Sequence, residues 1–373
     1  MREFSWDDLL GDVDPVCLDL DSARQRIAGR VVMVTGAAGS IGSELCRQLL
    51  ECGPSKLLCV DRAETPLFHL QNVLSGCLRP VEMSAKSEII YRLADITDSV
   101  RMGDLIREQG VRALLHAAAY KHVPLMEYNL QEALKNNVFG LESLMETAGR
   151  CGCEDFLLIS SDKAVNPTSF MGCTKRIGEL IMAARPSPMR CLSVRFGNVL
   201  GSQGSVVPLF REQIRVQRRI TVTHPDMARY FMRIPHAVSL ILQAFSMAEQ
   251  RDLFVLEMGK PVRILDLARA LIRISGVPQD EVTIEFTGVR PGEKMFEELF
   301  FDFETRLNTP ATKIFRVQAR VEPWAPLQQQ LAELRADCAT GIVDRIRSRV
   351  KEIVPQYRWE PKEADVPANL LLR

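Results

Sequence analysis

Val31-Val32-Met33-Val34-Thr35-Gly36-Ala37-Ala38-Gly39-Ser40-Ile41-Gly42 is the stretch that decides the fold. Its first five residues read as a buried strand, and a helical pattern follows the glycines, which stand at Gly-x-x-Gly-x-x-Gly spacing. Glycines so placed let the backbone turn tightly and set the helix N-terminus against a pyrophosphate, where free N–H groups and the helix dipole attract negative charge. A glycine-rich turn can also have a structural role alone. The strand before it, the helix after it and a carboxylate downstream select the dinucleotide reading.

That carboxylate is Asp61, which ends the next strand 19 residues beyond Gly42 and can accept from both hydroxyls of an adenosine ribose. It favours NAD over NADP, although Arg62 beside it is able to hold a 2′-phosphate. Asp95-Ile96 follows the third strand. Asp95 there either meets the adenine amino group or caps the helix that begins at Thr97-Asp98.

Working outward, strand patterns over 31–35, 56–61, 88–94, 113–118, 156–160 and 191–196 alternate with helical patterns over 43–52, 100–109, 130–150 and 174–184. The expected fold is α/β, a Rossmann-type doubly wound parallel sheet whose strand ends form the ligand crevice, with a smaller C-terminal substrate-binding lobe. We divide the chain into an N-terminal linker (1–28), a dinucleotide-binding domain (29–200), a mainly substrate-binding lobe (201–310) and a C-terminal helical extension (311–373) with helices over 327–337 and 343–353.

Composition removes several classes of function. Lys plus Arg equals Asp plus Glu at 47 each, so no surplus of positive charge points to nucleic acid. Every apolar run is far shorter than the roughly 20 residues of a membrane span, and Met1 to Asp21 carries seven acids against Arg2 alone, unlike a signal or transit peptide. The ten cysteines show no Cys-x-x-Cys spacing, so we read them as reduced thiols in a cytoplasmic protein and expect no metal.

Four motifs carry a resemblance: Gly36 to Gly42, Ala117-Ala118-Ala119-Tyr120-Lys121-His122-Val123-Pro124, Ser161-Asp162-Lys163-Ala164-Val165 and Arg290-Pro291-Gly292-Glu293-Lys294. With them the chain resembles the CapD-like polysaccharide-biosynthesis family, and through it the UDP-N-acetylglucosamine 4,6-dehydratases of the extended short-chain dehydrogenase superfamily. Longer members carry membrane-spanning helices, and Asp7-Asp8-Leu9-Leu10-Gly11 with Pro15-Val16 resembles the linker that follows them. The chain therefore reads as a short, soluble member or as the catalytic part of an anchored relative.

The resemblance implies a UDP-N-acetylhexosamine as substrate and a homo-oligomer paired through helical surface in 130–150 and 174–184. It also implies a site. Extended short-chain dehydrogenases use Tyr-x-x-x-Lys; here the lysine is Lys175, expected on the nicotinamide ribose, but the tyrosine position is Met171, and a thioether is neither acid nor base. The methionine form marks a branch that retains configuration at sugar carbon 5. Asp162 is expected to protonate the departing hydroxyl, Lys163 to act as base at carbon 5, and Ser161 to bond the carbon 4 oxygen, with the division of labour between Asp162 and Lys163 left open. Read by themselves, these three residues make a solvated turn with an N-cap.

The cofactor set is completed by Ser40, Ile41, Ala117, Ala118, Ala119, Lys121 and Asn137. For the nucleotide sugar the resemblance implies Arg290 on the pyrophosphate and Glu293 on the uridine ribose, with Asn198 and Arg229 as further contacts. Lys121 and His122 are placed on the nicotinamide and sugar side, and His122 also fits a structural role. Two competing readings remain, a 4-epimerase or simple dehydrogenase of the same fold, and a non-catalytic NAD-binding regulator.

Overall fold

A computed structural model describes residues 21–77, 87–318 and 321–359. The expected linker motif at 7–16 and the last residues of the C-terminal extension lie outside the described residues. The strands are β1 (Val31–Thr35), β2 (Lys56–Asp61), β3 (Glu88–Leu93), β4 (Ala113–His116), β5 (Asp155–Ile159), β6 (Arg190–Arg195), β7 (Asn198–Leu200), β8 (Arg219–Val222), β9 (Ala228–Arg229), β10 (Phe231–Arg233), β11 (Arg251–Leu256), β12 (Val262–Arg263), β13 (Thr283–Phe286), β14 (Thr305–Asn308) and β15 (Ile314–Gln318). The helices are α1 (Asp21–Ile27), α2 (Ser40–Glu51), α3 (Glu64–Cys77), α4 (Ser99–Gln109), α5 (Val123–Glu127), α6 (Leu130–Leu134), α7 (Leu141–Arg150), α8 (Phe170–Ala184), α9 (Val206–Gln217), α10 (Ile234–Met247), α11 (Ile264–Ser275), α12 (Trp324–Thr340) and α13 (Val343–Ile353).

The main sheet runs β14-β15-β11-β6-β5-β4-β1-β2-β3. All six expected strands pair in parallel, so the doubly wound Rossmann-type fold stands. Strand order reverses between β1 and β4, which opens the crevice above their C-terminal ends. The sheet also takes strands from beyond residue 200: β11 adds in parallel, and β15 and β14 antiparallel. Residue 200 is therefore no boundary of the sheet. A separate apolar cluster, with Phe210 and Ile214 of α9, Ile220 of β8 and Leu267 and Leu271 of α11, forms the core of the smaller lobe.

Two elements depart from the sequence pattern. β4 ends at His116, two residues short of Ala118. The helix expected over 130–150 is broken into α6, a π-helical turn at Lys135–Gly140 and α7. The extra residue of the wider turn brings both Asn136 and Asn137 inside, where they are buried.

The C-terminal helices bear on the expected pairing surface. Leu327, Leu331 and Leu334 of α12 and Ile346, Val350 and Ile353 of α13 join the apolar core that includes Leu134, Leu141 and Ile181. Gln131 donates to the Cys338 carbonyl at 2.8 Å, and Arg335 pairs with Glu142 at 2.9 Å. The chain thus covers with its own helices a surface expected to meet a second copy. From α13, buried Arg347 reaches Glu127 at 3.0 Å, whose other oxygen accepts from the Phe170 N–H, in the first turn of α8, at 2.6 Å.

Arg195, at the end of β6, is wholly buried between two carboxylates, Glu179 of α8 at 2.8 Å and Glu304 at 2.9 Å, and donates to the Leu299 carbonyl. Burial alone would push the Glu179 carboxyl up, but Arg195 holds it below the usual range. The contribution of Glu179 is therefore present above the pKa of an ordinary glutamate and is lost as pH falls through its lower folded value. Arg195→Met should cost about 3–5 kcal/mol at neutral pH, because it leaves two buried charges uncompensated. Urea unfolding across pH checks this, and the gap between the two proteins should narrow as pH falls through the glutamate range.

Candidate functional site

The glycine loop has the shape of a pyrophosphate cradle. Gly36 has φ +68°, and a Cβ on it would stand 2.5 Å from the Ala118 nitrogen; a Cβ on Gly42 would stand 2.0 Å from the Gly36 oxygen. Gly39 is the N-cap of α2 and offers no side-chain bond, which leaves first-turn N–H groups to an anion. Asp61 receives the Ala38 N–H on one oxygen and the Ala63 N–H on the other, both at 3.0 Å, and so ties the loop to the end of β2. Asp61, Arg62, Asp95, Ile96 and the Ala117–Ala119 backbone line one cleft with Gly36 and Gly39. These residues fit a dinucleotide.

Around that cleft the expected residues separate. Arg62 bonds the Tyr120 hydroxyl and lies over its ring, with Asp95 3.7 Å away. Asp95 is not the helix cap: it closes a turn onto Thr97, while Asp98 caps α4 by accepting from the Arg101 N–H. Asn137 spends its amide on the Tyr120 backbone and the Thr174 hydroxyl, at 2.9 and 3.0 Å, and it is Asn136 that faces the cleft. Ser40 accepts from the Gln203 N–H at 3.0 Å, which brings the loop after β7 down onto the cradle. Ile41 is half-buried against the same core as α2.

The turn after β5 holds the candidate chemistry. Ser161 accepts from the Lys163 N–H as an N-cap, so that reading is correct, but Asp162 is wholly buried and the turn is not solvated. The Ser161 hydroxyl donates to Asp162 Oδ1 at 3.0 Å. Lys163 Nζ lies 3.0 Å from the same oxygen, 3.0 Å from Asn198 Oδ1 and 3.4 Å from Glu297 Oε1. Burial opposes its charge, yet Asp162 and Glu297 outweigh burial and hold Lys163 above the ordinary lysine value.

Beneath the turn runs α8, capped by Ser169. It passes so close that a Cβ on Gly172 would stand 2.3 Å from the Lys163 carbonyl oxygen. Met171 is buried in the apolar core. Lys175 Nζ donates to the Ile159 carbonyl at 2.9 Å, and burial brings its ammonium down to about 8 against the opposing charge of Glu179.

On the other side lies the segment after β13. Arg290 is exposed and pairs with Glu293 at 3.0 Å. Arg229, expected on a phosphate, instead commits its guanidinium to the carbonyls of Ala228, Lys294 and Met295, and its Nε stands 3.7 Å from Glu297. Its role in this arrangement is to staple the segment down. Lys121 is exposed, and the His122 ring packs under Gly204.

Besides Asn136, two residues escaped the sequence reading. His116 ends β4 with its Nδ1 2.8 Å from the Thr35 hydroxyl, and burial, aided by Lys175, pushes its imidazole down to about 3. Glu297 is buried beside Lys163, with Oε2 lacking any hydrogen-bond partner. The position of His116 directly before Ala117 was a usable signal, whereas nothing near Glu297 in sequence separates it from Glu298. Among the described residues no group of His, Cys, Asp and Glu is placed to hold a metal, and no helix is long and apolar enough to cross a membrane.

Comparison with known proteins gives a consistent picture. Residues 32–319 match the family model described as polysaccharide biosynthesis protein. The capsular polysaccharide biosynthesis protein CapD of Staphylococcus aureus is 43% identical over 85% of this chain and 52% of its own length, so the chain spans about half of that relative. A UDP-N-acetylglucosamine 4,6-dehydratase (inverting) of Campylobacter jejuni is 29% identical over 75% of this chain and 80% of that protein. A UDP-glucose 4-epimerase of Rickettsia prowazekii is 32% identical over 72% and 77%. The X-ray structure of Pen from Bacillus thuringiensis superposes with a TM-score of 0.71 at 30% identity, covering 79% of this chain and 88% of that one.

The cradle geometry makes a direct prediction. Gly42→Ala forces a methyl into the Gly36 carbonyl and must push α2 off the loop. Dinucleotide affinity in calorimetry should fall at least about tenfold, or about 1.4 kcal/mol, and unchanged affinity would remove the cradle from the cofactor site.

Proposed function

The chain belongs to the polysaccharide biosynthesis protein family, and we propose that within it this chain is an NAD-dependent 4,6-dehydratase of a UDP-N-acetylhexosamine, UDP-N-acetylglucosamine foremost. One observation carries the reading: a buried carboxylate and a lysine, Asp162 and Lys163, share one turn at the strand ends, 3.0 Å apart, above a helix with Met171 where a phenol would otherwise stand. An elimination needs an acid and a base at neighbouring carbons. A 4-epimerase or a simple dehydrogenase needs neither, and it wants the missing phenol.

In this reading 29–200 is the NAD-binding part and 201–310 mainly the substrate lobe, apart from β11 and β14, which join the main sheet. The glycine loop, Asp61 and Lys175 hold NAD, which when bound supplies the acceptor for the carbon 4 hydrogen and the donor for carbon 6. The Ser161 hydroxyl orients the carbon 4 oxygen. Asp162 delivers a proton to the departing carbon 6 hydroxyl, and Lys163 takes the proton at carbon 5, which the new ketone makes acidic. Arg290 presents planar donors to the diphosphate and Glu293 an acceptor to the uridine ribose. Asn198, Lys121 and His122 border the sugar. The epimerase reading keeps a foothold in the Rickettsia relative, and the test separates the two.

Incubation with UDP-N-acetylglucosamine and mass spectrometry of the product should show loss of about 18 daltons, one water, with no build-up of free NADH. A product of unchanged mass but altered chromatographic mobility means epimerisation, and unaltered substrate means a binding protein.

The stereochemistry follows from Met171. With no phenol on the second face, Lys163 both removes and returns the carbon 5 proton, so the ring keeps its configuration. In deuterium oxide the product should carry deuterium at carbon 5 with the NMR couplings of the D-xylo 4-keto sugar, and L-arabino couplings would rule retention out.

A further inference from the structure

A proton count shows what the turn Ser161-Asp162-Lys163 lacks. Resting on the dehydratase reading above, oxidation at carbon 4 sets free the hydroxyl proton, and loss of the carbon 5 hydrogen sets free a second. Only afterwards does the departing hydroxyl take up one proton and carbon 5 the other. The site must therefore hold two extra protons at once. A tyrosine at position 171 would be one of the acceptors, and Met171 has no lone pair basic enough to replace it.

Lys163 begins with its proton in place, since it stands between carboxylates on either side. As an ammonium it is no base. Asp162 can accept one proton through the Ser161 hydroxyl, which already donates to it at 3.0 Å. The second must go elsewhere. Glu297 stands 3.4 Å from Lys163 Nζ, its side chain is 3% exposed, and its Oε2 has no partner among the described residues. Of the charges that face it, Lys163 comes from the turn after β5 and Arg229, 3.7 Å away, from β9. On its own segment Glu293 is paired with Arg290, and Lys294 with Glu298.

We infer that Glu297 is the proton store of this site, the carboxylate that takes the Lys163 ammonium proton so that the neutral amine can act at carbon 5. The cycle balances. The carbon 4 hydroxyl proton passes by Ser161 to Asp162, and the Lys163 proton passes to Glu297. The amine then removes the carbon 5 proton, and the electron pair of that C–H bond passes into the enolate of the carbon 4 ketone; from it the carbon 5–carbon 6 double bond forms as the carbon 6–oxygen bond breaks. Asp162 gives its proton to the leaving oxygen, which departs as water. Lys163 returns its proton to carbon 5 as the hydride taken from carbon 4 would be given back to carbon 6 from bound NAD, and Glu297 gives back the proton it stored. Glu297 acts through Lys163 and is in this sense a positioning residue.

The test lies in pH dependence. Transfer within the Lys163–Glu297 pair changes no proton count, so wild-type kcat should be flat from about pH 6 to 9, the pair titrating as a unit. In Glu297→Gln the lysine proton must leave to water, so kcat at neutral pH should drop about 100-fold or more and then climb about tenfold per pH unit. Glu297→Asp keeps a carboxylate and should restore the flat profile at reduced rate. Side-chain NMR of the cofactor-free protein provides a readout apart from turnover, in which the Lys163 midpoint should fall in Glu297→Gln.

A Glu297→Gln profile as flat as wild type overturns the inference, whatever its height, and so does an unmoved Lys163 midpoint. Should Glu297→Gln not fold, a Glu297→Asp enzyme with a climbing profile overturns it equally. Failure of the parent reading looks different, because wild type itself would then produce no dehydrated sugar while the Lys163 midpoint still reported on Glu297.

Discussion

A guanidinium without water is the constraint on which this architecture turns. Arg195 ends β6 inside the protein, and its charge is tolerable only if Glu179 and Glu304 arrive from α8 and from the segment before β14. Glu179 also receives the Ser160 hydroxyl at 2.6 Å. One buried cation thus fixes the end of β5, helix α8 and the segment that brings Glu297 inward. The candidate site is assembled from parts distant in sequence, and this electrostatic knot determines their separation.

Above the knot the candidate site lies in low dielectric. Asp162 Oδ2 and Glu297 Oε2 are both buried and unpartnered among the described residues. Unmet acceptors of this kind are costly in a resting protein, and they are found where strain or desolvation is kept for use. Lys163 lies between the two carboxylates and is kept charged by them, while Lys175, one helix turn beyond Met171, is kept closer to neutrality by burial. Two neighbouring lysines are thereby held in opposite directions by their surroundings.

The sheet was legible because a doubly buried parallel strand and a glycine turn are local patterns, as β1 and Gly36 to Gly42 show. The Ser161-Asp162-Lys163 segment was legible by itself as an N-capped turn near the end of β5, and its chemistry only through the resemblance. What stayed hidden depends on distance through space. Arg229 looked free for phosphate until three carbonyls of its own fold claimed it. The π-helical turn does not alter the apolar spacing enough to be seen, and the partners that Asn137 finds there, Tyr120 and Thr174, are distant in sequence. Glu297 is one of two adjacent acids, and only the fold decides which of them turns inward.

The clasp between Arg347 and Glu127 has a consequence for how the protein is made. It joins residues 220 positions apart, and Glu127 in turn secures the first turn of α8. A ribosome delivers these partners in order, so helix α8 exists as a nascent segment well before the residue that locks its start has been synthesised. Contacts of such separation are paid for in loop entropy and form late. The sheet can therefore mature early, while the candidate site waits for α13, and a prematurely terminated chain is left with a folded sheet and an unlatched site.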